Sequence, residues 1–432
     1  MNVSIKKVLI ANQGEVVIRI CRTLKKKGIR SVGLYLSSQV NDHYLHACDE
    51  SAMLEGDDLQ AYLGMDQIIE LAKKHECDAI HPGYGFLSEN AEFAKACEYA
   101  GLVFIGPSAR CLAMLGDKSS AKDLAKNAKI PVLQNLAHID LNEKHLTQVA
   151  QKMGFPLLLK PVMGGGGKGM LVVERQEDLL TLLRQAKATA RSSFGNETVL
   201  IEPYIRNAKH VEIQVVMDQY GKGVHIFERD CSAQRRHQKI IEESESSIPD
   251  SMIKSMQRDA LTLAKKIKYD NIGTVEFIID LDRKKYFFME VNPRLQVEHS
   301  VTEHCTQLDL VKIQIEICEG KSLKEILPSK IIKNGYAIEV RIYAEDAEQG
   351  FLPASGTILH LHVPQGKENI QIDSNLRKGQ KVSFLFDPMM MKVTLSAATR
   401  AEGIENLKRF LHEIVLFGVK SNVSFYLVVG NP

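Results

Sequence analysis

The chain has 432 residues, 44% of them hydrophobic and 25% charged, with a formal net charge of +2. That length predicts two or three globular domains, and so small a net charge leaves no electrostatic footprint for nucleic acid. The eight cysteines (21, 48, 77, 97, 111, 231, 305, 318) form no C-x-x-C pair and the opening MNVSIKKVLIANQGE has no long apolar run, which predicts a reducing, cytoplasmic setting without signal peptide or membrane span.

KKVLIA (6–11) is an apolar strand, followed by the turn Asn12-Gln13-Gly14-Glu15 and an amphipathic helix to about residue 27. IRSVGLYL (29–36) is the next strand, 65–75 a helix, CDAIHPG a strand entering a turn, 89–100 a helix, and LVFIGP a further strand. This βαβ alternation implies a parallel sheet. The first turn has one glycine where the dinucleotide fingerprint has three, which argues against NAD. In HPGYGFLSEN (81–90), Ser88 is placed to cap a helix starting at Glu89; no functional role follows from these ten residues alone.

Gly116-Asp117-Lys118 opens a lysine-rich helix ending near Ala128, Pro131 marks a break, and 141–154 is a helix. FPLLLKPV then sets Lys160 at the end of an apolar run, before Gly164 to Gly167, Lys168, Gly169 and the strand MLVV. Ordering four glycines costs conformational entropy, so the loop is either a linker or a set of backbone amides that approach an anion. It is not a Walker loop, because Gly169 and a strand follow Lys168. The expectation is a glycine-rich hairpin over phosphates, with Lys160 a phosphate contact and not a snorkelling surface lysine.

TVLIEPYI (198–205) is a strand whose passage into Pro203 offers backbone groups to an adenine; HVEIQVVMD and GVHIFERD are two more strands. CSAQRRHQKIIEESES (231–246) packs Gln234, Arg235, Arg236, His237 and Lys239 before a run of acids, and by itself predicts a solvated face. TVEFIID (274–280) and KYFFMEVN (285–292) form a hairpin about Leu281-Asp282-Arg283-Lys284. Symmetric pairing sets Glu276 opposite Glu290, and two bare carboxylates there repel unless a cation lies between them. Magnesium fits, with Asn292 a further oxygen.

In MEVNPRLQVEH (289–299), an extended backbone puts Glu290, Asn292, Arg294, Gln296 and Glu298 on one face. The Arg294 fork suits a carboxylate, bicarbonate or phosphate, and Glu298 beside it is available as a general base. Beyond residue 300 the pattern predicts an apolar helix to about 318, strands near 337–345 and 356–363, and a last helix around 401–413, with no internal repeat or low-complexity segment.

Together, HPGYGFLSEN, GDK, the glycine-rich loop, KHVEIQV, ERDCSAQRRHQK, EVNPRLQVEH and EVRIYAED (339–346) resemble the biotin carboxylase family, the ATP-grasp component of biotin-dependent carboxylases, over nearly the whole chain. The resemblance implies an α/β and α+β fold: a Rossmann-like N-terminal domain (1–113), an ATP-grasp domain (114–331) with a mobile lid at about 133–203, and a small β-rich C-terminal domain (332–432). It implies that Lys118, Lys160, Gly166, Gly167, His210, Gln234 and His237 serve ATP and that Glu202, Pro203, Tyr204 and Ile205 hold the adenine. Glu276, Glu290 and Asn292 become the ligands of Mg²⁺ or Mn²⁺. Lys239, Arg294, Gln296 and the Val297 backbone form the bicarbonate pocket, Glu298 is the base and Arg341 steadies biotin.

The activity so implied is ATP-dependent carboxylation of biotin with bicarbonate through carboxyphosphate. The implied partners are a biotin carboxyl carrier protein or domain, a carboxyltransferase component and a second copy in a homodimer. Gln13 stands where the family has Arg, Pro161-Val162-Met163 stands before the glycines where the family has small residues, and the chain stops at VVGNP before the usual terminal segment. The expectation is a truncated chain or a domain cut from a longer polypeptide. Two other readings share the residues: another ATP-grasp ligase that phosphorylates bicarbonate or a carboxylate, and a nucleotide-binding subunit without turnover. The final carboxyl acceptor stays open among acetyl-CoA, propionyl-CoA, pyruvate and urea. Lys392, although it follows three methionines as a carrier lysine follows one, is expected to lie in a packed strand and to carry no biotin.

Overall fold

The computed structural model describes residues 3–56, 58–116, 118–138, 143–162, 169–235, 238–364, 366, 369–382 and 388–429. The first strand β1 (Lys7–Ile10) leads into α1 (Glu15–Lys27), whose Val16, Val17, Ile20, Cys21 and Leu24 form a buried stripe at helical spacing. Gly28, left-handed at φ 68°, ends it. With β2 (Arg30–Tyr35), β3 (Glu50–Met53), α2 (Met65–Lys74), β4 (Ala79–His81), α3 (Ala91–Tyr99) and β5 (Val103–Phe104), a parallel sheet forms in the order β3-β2-β1-β4-β5.

Strand order reverses between β1 and β4, where a dinucleotide fold keeps its crevice. Here the two loops clasp each other instead. Asn12 Nδ2 donates to the carbonyls of Pro82 at 2.7 Å and Tyr84 at 2.8 Å, and the Tyr84 hydroxyl donates to Glu15. The cap expected from Ser88 is provided by Asn90, whose side chain accepts from the Phe93 amide at 2.9 Å, so α3 starts at Ala91. Asn at the N-cap outcompetes a serine two residues earlier, which is buried.

Next come α4 (Ala109–Leu115), α5 (Lys118–Asn127), β6 (Leu136–His138), α6 (Glu143–Met153), β7 (Leu157–Pro161), β8 (Leu171–Val173), α7 (Leu179–Phe194) and β9 (Val199–Pro203). The strands make an antiparallel sheet β6-β9-β7-β8, with its own core of Leu146, Leu157, Leu159, Leu183 and Ile201. The expected glycine-rich hairpin corresponds to β7 and β8, which pair from Leu157 opposite Val173 to Leu159 opposite Leu171; Gly166 and Gly167 lie outside the described residues.

A second, larger antiparallel sheet follows: β10 (Ala208–Met217), β11 (Gly223–Arg235), β12 (Gln238–Glu243), β13 (Asn271–Asp280), β14 (Lys285–Asn292) and β15 (Tyr336–Tyr343), with α8 (Asp250–Lys266), α9 (His299–Thr306) and α10 (Leu310–Cys318) among them. Its order is β14-β13-β10-β11-β12-β15, continued by the strands Met389–Ala397 and Ile370–Ser374. The β12–β15 pairing, with Ile241 opposite Val340, runs central and C-terminal strands into one sheet. Helices Arg400–Glu413 and Val423–Val429 complete the C-terminal part. No helix among the described residues is long and apolar enough to cross a membrane.

Three further expectations change. The extended face predicted over 289–299 stops at Asn292, because Pro293 has no donor to continue a ladder; residues 293–298 turn into α9, with Glu298 at its N-cap position. The single helix predicted to residue 318 is two, broken where Gln307 is left-handed (φ 57°) and where the Asp309 side chain caps α10 by accepting from the Lys312 amide. The solvated charge run is β11 and β12: Lys239 points inward to three carboxylates, which supply the counter-charge that a solvated face takes from water.

Candidate active site

Strand register builds the site. Glu212 on β10 lies opposite Glu276 on β13 and opposite Arg229 on β11, and Glu276 lies opposite Glu290 on β14, so four ionisable residues form one row across four strands. The hairpin pairing of Glu276 with Glu290 is the one expected from symmetric folding. Lys239, from β12, reaches over this row. Its Nζ lies 2.6 Å from Glu212 Oε2, 2.8 Å from Glu276 Oε1 and 2.7 Å from Glu298 Oε1.

Glu298 has 0% exposure and takes a second cation on its other oxygen, Arg341 at 2.9 Å. Burial pushes its carboxyl up, but Lys239, Arg341 and Arg229 outweigh burial and hold it well below the usual carboxylate range. Glu276 is likewise held well below that range: burial opposes, and Lys239 and His210 prevail. For Glu212 burial dominates over Arg229 and Lys239 and its carboxyl is raised. Lys239 is raised despite burial, because three carboxylates surround it. The cluster therefore holds Glu298 in its ionised form.

Arg294 and the turn after Pro293 close the site from the other side. Arg294 donates to Gln296 Oε1 at 2.9 Å and to Asn292 Oδ1 at 3.2 Å, and its Nε donates to Glu89 Oε1 at 2.5 Å. Glu89 belongs to HPGYGFLSEN, so that stretch brings a carboxylate from the N-terminal sheet to the arginine. Asn292 Nδ2 donates to Glu276 Oε1 at 2.8 Å, so Asn292 bridges the expected metal ligand and Arg294. Arg341 is steered by Glu242, which accepts from its Nε at 2.6 Å. Burial, with Glu339 and Glu298 adding to it and Arg341 opposing, pushes the Glu242 carboxyl up to about 8.

Beside this cluster, between the two antiparallel sheets, lies a cleft of about 220 Å³. It is lined by Lys160, residues 202–205, His210 and Gln234, all predicted for the nucleotide, and by apolar Leu158, Ile278 and Phe288. Pairing of β9 with β6 ends at Ile201, which leaves that edge of residues 202–205 turned to the cleft. Gln234 Nε2 lies 2.7 Å from His210 Nδ1, and the other ring nitrogen, Nε2, lies 3.0 Å from Glu276 Oε2. His237 lies outside the described residues, as does the side chain of Lys118.

Glu202 takes two lysines: Lys122, with 2% exposure, on Oε1 and Lys160 at 2.5 Å on Oε2. Sequence reasoning missed Lys122, although it stands four residues after Lys118 on the same helix face. It also missed Glu89, Glu212, Arg229 and Glu242, which long-range register alone brings in. Glu202→Gln is expected to destabilise the chain by about 3 kcal/mol, because it strips the buried Lys122 and the half-buried Lys160 of their shared counter-charge. A urea midpoint equal to that of the wild type would show that the lysines do not depend on it.

Mg²⁺ takes hard oxygen donors, and the in-register pair Glu276 and Glu290 fits that requirement. His210, Glu212 and Glu276 also bring donor atoms within 4.8 Å of one another; the oxygen pair Glu276 and Glu290 is the better match to a hard cation.

Residues 4–112 match the biotin carboxylase N-terminal domain, 117–326 the ATP-binding domain of the carbamoyl-phosphate synthase L chain, and 339–431 the biotin carboxylase C-terminal domain. The chain is 41% identical to the methylcrotonoyl-CoA carboxylase subunit alpha of Mus musculus over 99% of its length, but spans 60% of that relative. It is 40% identical to biotin carboxylase 1 of Bacillus subtilis over 98% of its length and 94% of that protein. Among solved structures it is similar to the biotin carboxylase domain dimer of Hydrogenobacter thermophilus 2-oxoglutarate carboxylase, determined with MgADP, ADP and bicarbonate (TM-score 0.94, 36% identity, 99% of this chain and 94% of that one). It is equally similar to a biotin carboxylase–β,γ-ATP complex from Campylobacter jejuni (TM-score 0.94, 37% identity, 99% and 96%). With its Rossmann-like sheet, its nucleotide cleft between two antiparallel sheets and its β-rich C-terminal part, the chain belongs to the biotin carboxylase family of ATP-grasp enzymes.

Proposed function

We propose that the chain carboxylates biotin presented on a carrier protein or domain, using bicarbonate and ATP, and that a carboxyltransferase component and a second copy of the chain complete the assembly. The observation that carries this reading is a fully buried, ionised Glu298 held between Lys239 and Arg341 and next to Arg294 on one turn. ATP occupies the cleft, with its adenine on residues 202–205 and its phosphates toward Lys160 and His210. Mg²⁺, or Mn²⁺ in its place, held by Glu276 and Glu290, supplies charge neutralisation for the phosphates.

Bicarbonate binds against Arg294, Lys239, Gln296 and the Val297 backbone. Glu298 takes its proton, and the freed oxygen attacks the γ-phosphate, giving ADP and carboxyphosphate. Carboxyphosphate splits to CO₂ and phosphate; the phosphate takes the ureido proton of biotin, and the biotin anion, steadied by Arg341, attacks CO₂. Most of the protein's work is positioning and charge neutralisation. ATP cleavage measured with bicarbonate, with and without free biotin, tests the reading. Cleavage that needs bicarbonate and rises with biotin is expected. Bicarbonate-dependent cleavage indifferent to biotin would point to another bicarbonate-phosphorylating ligase, and no cleavage to a subunit without turnover.

The metal assignment carries its own expectation. Glu276→Gln or Glu290→Gln replaces a charged oxygen ligand by a neutral one, and the affinity for Mg-ATP is expected to fall by about tenfold or more. A metal titration of both variants at wild-type affinity would remove the pair as ligands.

A further inference from the structure

We propose that Lys392 positions the Val297–Glu298 turn for bicarbonate, acting from the C-terminal strands on the backbone that carries the base; this rests on the functional reading above. Lys392 lies in the strand Met389–Ala397 and has 1% exposure. Burying an ammonium is unfavourable unless its hydrogen bonds are met. Where those bonds go therefore tells what the charge is for.

The direct bonds go to the turn. Nζ donates to the Val297 carbonyl at 2.5 Å and to Ser300 Oγ at 3.0 Å. The nearby carboxylates are farther away, Asp373 at 3.6 Å and Glu339 at 3.8 Å. Both are engaged elsewhere: Asp373 by Arg22 at 2.9 Å and Gln371 at 2.7 Å, Glu339 by Thr394 at 2.5 Å. They balance the charge without taking its hydrogen bonds. If Lys392 served only to neutralise Asp373 and Glu339, its ammonium would contact them and leave the Val297 carbonyl alone.

Register explains the grip. Lys392 stands directly opposite Arg341 on β15, and opposed residues of an antiparallel pair project to one face. Two neighbouring cations of one sheet therefore hold one turn. Arg341 takes the Glu298 carboxylate, and Lys392 takes the carbonyl one residue earlier. A carboxylate on a turn has freedom that a strand residue lacks; anchoring the 297–298 peptide removes it. Asp373, directly opposite Lys392 in the neighbouring strand, is tied at 2.9 Å to Arg22 of α1, so the N-terminal domain contacts this strand.

The test uses the full chain with Lys392→Met, which keeps the stem and removes the ammonium, and Lys392→Gln, which keeps a neutral donor. With Met, the KM for bicarbonate is expected to rise about tenfold to a hundredfold, the scale of a misplaced reacting group, while the KM for ATP stays within about twofold. Gln is expected to fall between Met and wild type. A purely structural role would move both KM values together or neither. Hydrogen exchange at the His299 and Val301 amides, which bond to Gln296 and Glu298 carbonyls, is expected to quicken about tenfold in the Met variant without comparable change in α8. That readout needs no turnover, so a wild-type chain that cleaves no ATP would overturn the functional reading while exchange still decides the positioning. If Lys392→Met does not fold, Lys392→Gln and Ser300→Ala replace it, each expected to raise the bicarbonate KM alone. A folded variant of Lys392 with unchanged bicarbonate KM and unchanged exchange, or Ser300→Ala and Lys392→Gln both at wild-type KM, overturns the proposal.

Discussion

Glu298→Gln is expected to lower bicarbonate-dependent ATP cleavage by about 10²- to 10⁴-fold, the range for removing a general base, while the affinity for Mg-ATP stays near that of the wild type. The amide keeps the shape but cannot take the proton. The cations that hold Glu298 well below the usual carboxylate range also make it a weak base. In the proposed pocket the difficulty resolves in the substrate: bicarbonate between Lys239 and Arg294 would meet the same positive charge, which lowers the cost of losing its own proton. Lys239, already 2.7 Å from Glu298, lies within reach of both partners of that transfer.

The sign of the shift also constrains pH behaviour. With its folded pKa depressed, Glu298 contributes stability that is present above its unfolded value of about 4.3 and is lost as pH falls through the lower folded value. Its ionisation therefore does not set an acid limb of activity near neutral pH. Single-turnover ATP cleavage, run alongside nucleotide titration, checks the variant; bicarbonate-dependent cleavage at the wild-type rate would end the role of Glu298 as base.

How far these groups were legible follows from how far apart they lie. The Glu276–Glu290 pair is local, both partners lying in one hairpin, and symmetric folding places it correctly. Arg294, Gln296 and Glu298 were singled out as one face of a strand, yet they converge because Pro293 ends the strand and the chain curls into α9. The expected strand geometry therefore does not hold beyond Asn292, and the turn brings these side chains to one place. Lys239 drew its role from resemblance alone, since its three carboxylates come from β10, β13 and the turn, and no local pattern reports them. Glu89 meets Arg294 across 205 positions of sequence, so its loop was silent by itself. Lys392 was correctly placed in a packed strand, but its hold on Val297 depends on a register set by β15.

The removal of Lys239 has the broadest consequences. Lys239→Met leaves Glu212, Glu276 and Glu298 facing one another without the cation that lies between 2.6 and 2.8 Å from each. Breaking a buried pair from one side costs about 3–5 kcal/mol, and the cluster can reduce that cost only by taking up protons. In the wild type Glu276 and Glu298 are held below the usual range, burial being outweighed first of all by Lys239. Without it, burial and mutual repulsion raise them. Groups whose folded pKa is raised add stability below their unfolded value of about 4.3 and lose it as pH rises through the folded value. The stability gap between wild type and Lys239→Met is therefore expected to be wide at pH 8 and to narrow toward pH 5, read as denaturant midpoints at each pH. Turnover is expected to fall by about 10²-fold or more, since a preorganised cation facing the developing charge is lost. Parallel pH–stability curves for the two proteins would show that the three carboxylates do not depend on Lys239 for their ionisation.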